Sequence, residues 1–384
     1  MTDPLTAIDP AQSPVSPAWI IDRELLEENL RILAGVQEEA GCRILLALKG
    51  FATWSTFDLV QRYLTGATAS SPHEARLAGE KLAGKEVHAC APAYSRTDLE
   101  SMLTWCNHVV FNSLSQWQQL RPVVEASGRR VSCGLRINPA HREAAVEIYD
   151  PCAPRSRLGV TLENLRAGDF SGLEGLHFHT LCEQGVDALE RTLAVVERDF
   201  APWLEQVRWV NFGGGHHITR PDYDRQLLVQ LIRRFRQRYQ VEVILEPGEA
   251  VAIGTGVLMA TVLDIIDNDG PVAILDVSAS AHMPDVLEMP YRPGVAGAAL
   301  PGEKPWTCRL AGLTCLAGDI IGDYSFDTPL RPGQRLSLLD MAHYTMVKTT
   351  NFNGVQLPAL VLKEGQRYNL IRQFGYETYR DRLS

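Results

Sequence analysis

At 384 residues the chain is too long for one ordinary single-core domain, so it reads as a large α/β barrel with a smaller domain, or as two comparable domains. Its 45% hydrophobic and 22% charged residues are those of a globular protein, and no apolar run approaches the roughly 20 residues that span a bilayer, which argues against a membrane protein. A net charge of -9 with no Lys/Arg-rich block argues against nucleic acid as a partner and weakly favours a cationic small molecule, although the same charge also serves solubility alone.

Residues 1–17 are acidic and proline-rich and lack the basic and apolar regions of a secretory signal, so they read as a flexible leader on a cytoplasmic protein. The eight cysteines have no CxxC spacing, as expected of reduced thiols in a large enzyme. Residues 24–40 carry apolar side chains at helical spacing. Short apolar runs then recur at 43–48, 66–69, 86–90, 108–111, 132–137, 175–178, 207–212 and 242–246, with helical signals between most of them. Eight such alternations predict a parallel (β/α)8 barrel over 23–260. Beyond Gly248 the texture changes to strand-like runs separated by turn signals such as DNDGP and RPGQR. A β-rich second domain, sandwich- or barrel-like, is therefore expected over 261–384, joined by the early strand at 18–22.

Catalytic groups in such barrels sit at the carboxyl ends of the strands, and those ends carry Lys49, Asn112, Arg136, His179, Gly213-Gly214-Gly215 and Glu246. Lys49 ends an apolar strand, where desolvation would disfavour its ammonium and make the amine an imine-forming nucleophile; alone it reads equally as a surface lysine. The glycine triplet of NFGGG suits close approach of backbone N–H groups to a phosphate, or simply a tight turn. Glu246 in EPGEA makes chemical sense beside a phosphate site if it pairs with a protonated pyridine nitrogen, or else it is an ordinary strand-end residue. His177 and His179 share a strand face, but no third zinc ligand is evident, so no metal is expected and His179 is read as stacking on a cofactor ring. Cys315 in GLTCLAGD, near Asp319, is either a small buried thiol or a group that moves a proton.

LALKGFAT, HFHTLCEQ, NFGGG, EPGEA, GLTCLAGD and DMAHYTMVKTTNFNG together resemble the alanine-racemase-like, fold type III, pyridoxal-phosphate decarboxylases over nearly the whole chain after residue 17. HFHTLCEQ and SASAHMPDVLEMPYRP are similar to the branch that acts on carboxylated triamines. The resemblance implies pyridoxal 5'-phosphate as cofactor, Lys49 as its imine-forming lysine, His179 stacked on its ring, Glu246 at the pyridine nitrogen, and Gly213, Gly214, Gly215 and Tyr344 at the phosphate. It implies a homodimer in which Cys315 serves the partner subunit's active site. Where ornithine and diaminopimelate decarboxylases carry Arg after EPG this chain has Glu249, and where ornithine decarboxylase has an aspartate after the cysteine it has Leu316. Glu249, Asp285 and Asp319 are accordingly expected to hold the amines of a polyamine substrate. Alternatives are decarboxylation of ornithine, lysine, arginine or diaminopimelate, a racemase, or a silent cofactor-binding regulatory homologue.

Overall fold

The computed structural model describes residues 4–144 and 146–384. The chain divides into two compact units, one of residues 28–251 and one of residues 1–27 with 252–384.

β1 (Ala18–Asp22) belongs to the second of these and precedes the barrel strands. The barrel comprises β2 (Arg43–Ala47), β3 (Gly66–Ala69), β4 (Glu86–Cys90), β5 (His108–Phe111) and β6 (Ser132–Asn138), a two-residue strand β7 (Val160–Thr161), then β8 (Gly175–His177), β9 (Trp209–Asn211) and β10 (Glu242–Leu245). Eight of them pair in parallel in the order β5-β4-β3-β2-β10-β9-β8-β6, and β5 pairs β6 to close the ring; β7 adds outside it on β6. Their near-continuous burial, as in Ile44–Ala47, is what a parallel sheet covered on both faces requires. Helices return the chain between strands, and several begin just past a strand end on a serine cap. Ser71 Oγ accepts from Glu74 N–H, while the Glu74 carboxylate accepts from Ser70 N–H. Such caps fix where each helix starts and so hold the loops at the strands' carboxyl ends.

The other unit adds β11 (Gly256–Asp267), β12 (Pro271–Leu275), β13 (Trp306–Ala311), β14 (Ile320–Phe326), β15 (Arg335–Leu339), β16 (Ala359–Glu364) and β17 (Arg367–Arg372). They form a mixed sheet, β14-β13-β12-β11-β1-β16-β17, with β15 on β11. β11 makes this possible: its first half pairs β1 and β15, its second half pairs β12, and the register shifts between Val262 and Asp264. Residues 23–27 and 252–260, expected in the barrel domain, belong to this unit, because the strand that builds its sheet already starts at Gly256.

The flexible leader is a further correction from residue 4 onward. Leu5 and Ile8 are buried with Ala18, Ile20, Val257, Met259, Ala359 and Val361. Arg335 donates to the carbonyls of Pro10, Ala11 and Ser13. Two apolar residues one short helical turn apart suffice to seat the segment on a sheet face that would otherwise be wet.

Candidate active site

Lys49 follows directly on β2, beside β10 in the barrel, and Gly50 lets the two strand-end loops touch: a Cβ there would lie 2.8 Å from Gly248 Cα. Lys49 is exposed to solvent. Desolvation first and the Arg136 guanidinium second hold its amine below the ordinary lysine range, against the opposing pull of Glu246. A larger neutral fraction is what an imine-forming amine needs. Buried Arg136, named above only as a strand-end residue, donates to the His179 carbonyl at 3.3 Å.

Glu246 is 9% exposed at the end of β10. Its Oε1 accepts from Asn211 Nδ2 at 2.7 Å, and its Oε2 lies 3.3 Å from His177 Nε2. Burial alone would raise this carboxyl, but the His177 and Asn211 contacts outweigh it and bring it down to about 2. The carboxylate is therefore ionised and aimed. His179 Nδ1 accepts from Gly214 N–H at 3.0 Å, which leaves any ring proton on Nε2. Burial, followed by Lys49 and Arg136, holds that imidazole well below the usual range, so it is neutral and flat.

The glycine loop has no room for side chains. A Cβ on Gly213 would meet His179 Cβ at 2.7 Å, on Gly214 the Glu246 carbonyl at 2.3 Å and on Gly215 the Leu181 carbonyl at 1.9 Å, and Gly213 and Gly215 hold φ of +70° and +84°. An aldehyde-capturing amine, a flat neutral imidazole, an ionised buried carboxylate and a bare backbone loop are the donor set that pyridoxal phosphate requires, and they fit it. Glu249, expected at a substrate ammonium, has Oε2 3.1 Å from Nε2 of buried His217.

The sheet unit assembles its own residues. Cys315 is exposed and its N–H donates to Asn353 Oδ1 at 2.8 Å. Asp319, expected to hold a substrate amine, is 3% exposed and both its oxygens are taken: Oδ1 by Ser278 Oγ and Ser280 N–H, Oδ2 by the N–H and hydroxyl of Thr314. It shapes the Cys315 loop and has no oxygen left for a substrate, which corrects the sequence expectation. Asp285 pairs with Lys348, which also reaches Glu288. Lys348 N–H in turn bonds the carbonyl of Tyr344, a residue held at φ +34°. The segments around 280, 315 and 350 are thus tied together, and Thr350 N–H to the Ala281 carbonyl adds a further stitch.

Among the described residues one trio has metal-ligand spacing, Glu86, His88 and His108. Arg43 already donates to both Glu86 oxygens at 2.8 and 2.9 Å, and the two imidazoles stack with centroids 4.0 Å apart.

Sequence reasoning gave no role to Asn211, His177, His217 or Lys348. For Asn211 a signal was present: Asn-Phe-Gly is the spacing of an Asx turn, and Gly213 N–H does bond Asn211 Oδ1 at 2.8 Å.

A sequence profile described as "Pyridoxal-dependent decarboxylase, C-terminal sheet domain" matches residues 19–342. The chain is 46% identical over 371 residues, 96% of its length and 95% of the relative's, to carboxyaminopropylagmatine decarboxylase of Synechocystis sp.. It is 42% identical over 376 residues, 95% of its length and 97% of the relative's, to carboxynorspermidine/carboxyspermidine decarboxylase of Campylobacter jejuni. Among solved structures it matches carboxynorspermidine decarboxylase of Campylobacter jejuni complexed with norspermidine, with a TM-score of 0.88 at 41% identity, covering 96% of this chain and 99% of that one.

Proposed function

The chain belongs to the pyridoxal-dependent decarboxylases, and from that premise we propose that it removes the carboxylate of carboxynorspermidine or carboxyspermidine, leaving norspermidine or spermidine, as a step of polyamine biosynthesis. The observation that carries this substrate class is near-full-length kinship, at 42% and 37% identity, to two relatives named for it. Leu316, standing where ornithine decarboxylase has an acid, supports a substrate longer than ornithine.

The cofactor is pyridoxal phosphate, which supplies an aldehyde to capture the substrate amine and an electron sink for the charge left when carbon dioxide departs. Lys49 would hold the cofactor's aldehyde through its amine. Glu246 keeps a proton on the pyridine nitrogen, and His179 covers the ring face. Gly213, Gly214, Gly215 and Tyr344 receive the phosphate. Asp285 and Glu249 take the substrate's ammonium groups, their charges matching amines spaced along a flexible chain. Cys315 hands a proton to the substrate's α-carbon in a neighbouring subunit, so the working species is a homodimer. No helix of the described residues is long and apolar enough to cross a membrane, and a cytoplasmic site suits small cationic metabolites.

The 46% identical relative favours a second reading, in which the substrate is carboxyaminopropylagmatine and a guanidinium replaces the terminal amine. Carbon dioxide release from the cofactor-loaded protein decides between them. Carboxynorspermidine, carboxyspermidine, carboxyaminopropylagmatine, ornithine, lysine, arginine and diaminopimelate are compared side by side, with the Asp285→Asn variant as a second arm. Carboxylated triamines are expected to exceed the simple amino acids by about 10⁴-fold in kcat/KM, the discrimination a site built to pair with extra polar groups achieves. Asp285→Asn should raise KM chiefly for the triamines. Preference for ornithine or diaminopimelate would overturn the proposal, and preference for the guanidinium substrate would select the second reading.

A further inference from the structure

Asn211 is fully buried at the end of β9, and its side-chain amide has two neighbours. One is the N–H of Gly213 at 2.8 Å, the other Glu246 Oε1 at 2.7 Å. An N–H can only donate, so the atom facing Gly213 is the amide oxygen and the atom facing Glu246 is the NH2 group. The link is doubled in the backbone, where Glu246 N–H donates to the Gly213 carbonyl at 2.7 Å. Gly213 is thereby clamped on both polar groups by Asn211 and Glu246. His177, 2% exposed, occupies the second carboxylate oxygen.

From this geometry we infer that Asn211 is a positioning residue that couples the acid at the cofactor's ring nitrogen to the loop at its phosphate, so that each end of the site is in place only when the other is. The inference rests on the reading of Glu246 and the glycine loop proposed above. A single rigid amide is suited to the task because it is donor on one side and acceptor on the other, with no charge of its own to bury.

The test is equilibrium binding of pyridoxal 5'-phosphate and of phosphate-free pyridoxal to the full-length apoprotein, with thermal melting alongside. Asn211→Ala should weaken pyridoxal about fivefold and pyridoxal 5'-phosphate several-fold more, since both the ring acid and the loop lose a hydrogen bond. Unchanged pyridoxal affinity would mean that Asn211 serves the loop alone. Equal losses for the two ligands would mean that it serves Glu246 alone. A lowered melting temperature with both affinities intact would mean that its role is purely structural. Each of these three overturns the coupling.

If Asn211→Ala does not fold, Asn211→Asp keeps the acceptor for Gly213 but sets a second carboxylate against Glu246. The two must then share a proton, and the absorbance of the bound cofactor should acquire a pH-dependent transition that the unmodified protein lacks. A pH profile identical to the unmodified protein's overturns the inference. Glu246→Gln is the separate check on the parent reading: pyridoxal affinity and absorbance untouched by it would remove Glu246 from the ring nitrogen, whatever Asn211 does.

Discussion

His216 and His282 are buried, and desolvation holds both imidazoles down to about 4. The folded protein keeps them neutral, while in the unfolded chain they titrate near 6.5. As pH falls from 7 to 5 the unfolded state therefore binds protons that the folded state refuses, and stability is lost across that window, well above the range where carboxylates titrate. Each such histidine should cost about 2 kcal/mol between pH 7 and pH 5. His282 is the one to vary, because its Nδ1 accepts from Ser278 N–H at 3.2 Å and an asparagine oxygen can replace that acceptor. Denaturant unfolding of the holoprotein at the two pH values should show a smaller difference for His282→Asn than for the unmodified protein. Equal stability at pH 7 and pH 5 in the unmodified protein would refute the argument. The same desolvation acts on Lys49, whose pKa it lowers in the direction that the proposed imine chemistry requires.

At the scale of elements, two glycines illustrate opposite constraints. Gly35 lies inside the helix Arg23–Ala40 and a Cβ there would meet nothing within 4 Å. Gly35→Ala should stabilise the protein by roughly 0.5–1 kcal/mol, because the helix gains a better former and the unfolded chain loses freedom. Gly214 is boxed by the Glu246 carbonyl at 2.3 Å from a virtual Cβ, and that backbone is held by its own hydrogen bonds. Gly214→Ala must push the glycine loop off the end of β10. Its affinity for pyridoxal 5'-phosphate is expected to fall tenfold or more by fluorescence titration, while Gly35→Ala binds normally. Normal cofactor binding by Gly214→Ala would contradict the assignment of the loop to the phosphate. The element scale also explains why Asp319 is unsuited to the substrate: two donors from its own turn, at Thr314, and two from the distant Ser278–Ser280 segment saturate a carboxylate that the sequence showed only as an acid near a cysteine.

At the scale of the whole molecule, the proposed dimer has a consequence that can be counted. If Cys315 serves the partner's site, Lys49→Ala and Cys315→Ala chains are each inactive or weak alone, yet a hybrid of the two contains one site with both residues intact. Random mixing should restore up to about a quarter of the unmodified activity, since half of the dimers are hybrids with one good site of two. No recovery from subunits shown to exchange would place Cys315 in its own chain's site or outside catalysis.

Local chemistry by itself determined a great deal. Eight short apolar runs, most of them followed by a helical segment, leave a parallel barrel as the arrangement that buries them all, and the residue after each run then falls at one mouth. The strand-end placement of Lys49, His179, the glycines and Glu246 was legible for that reason, since each is fixed by its place in a repeat. The course of residues 4–17 was not, because two apolar side chains in a polar stretch gain burial only when a distant sheet offers them a face. Nor were the side-chain partners of Glu246, which come from β8 and β9 and meet it only when the barrel closes. The state of Asp319 and Asp285 likewise depended on what tertiary contact brought to their oxygens. Sequence period sets which side of an element a residue occupies, whereas the identity of the group across from it is decided by the packing of segments far apart in the chain.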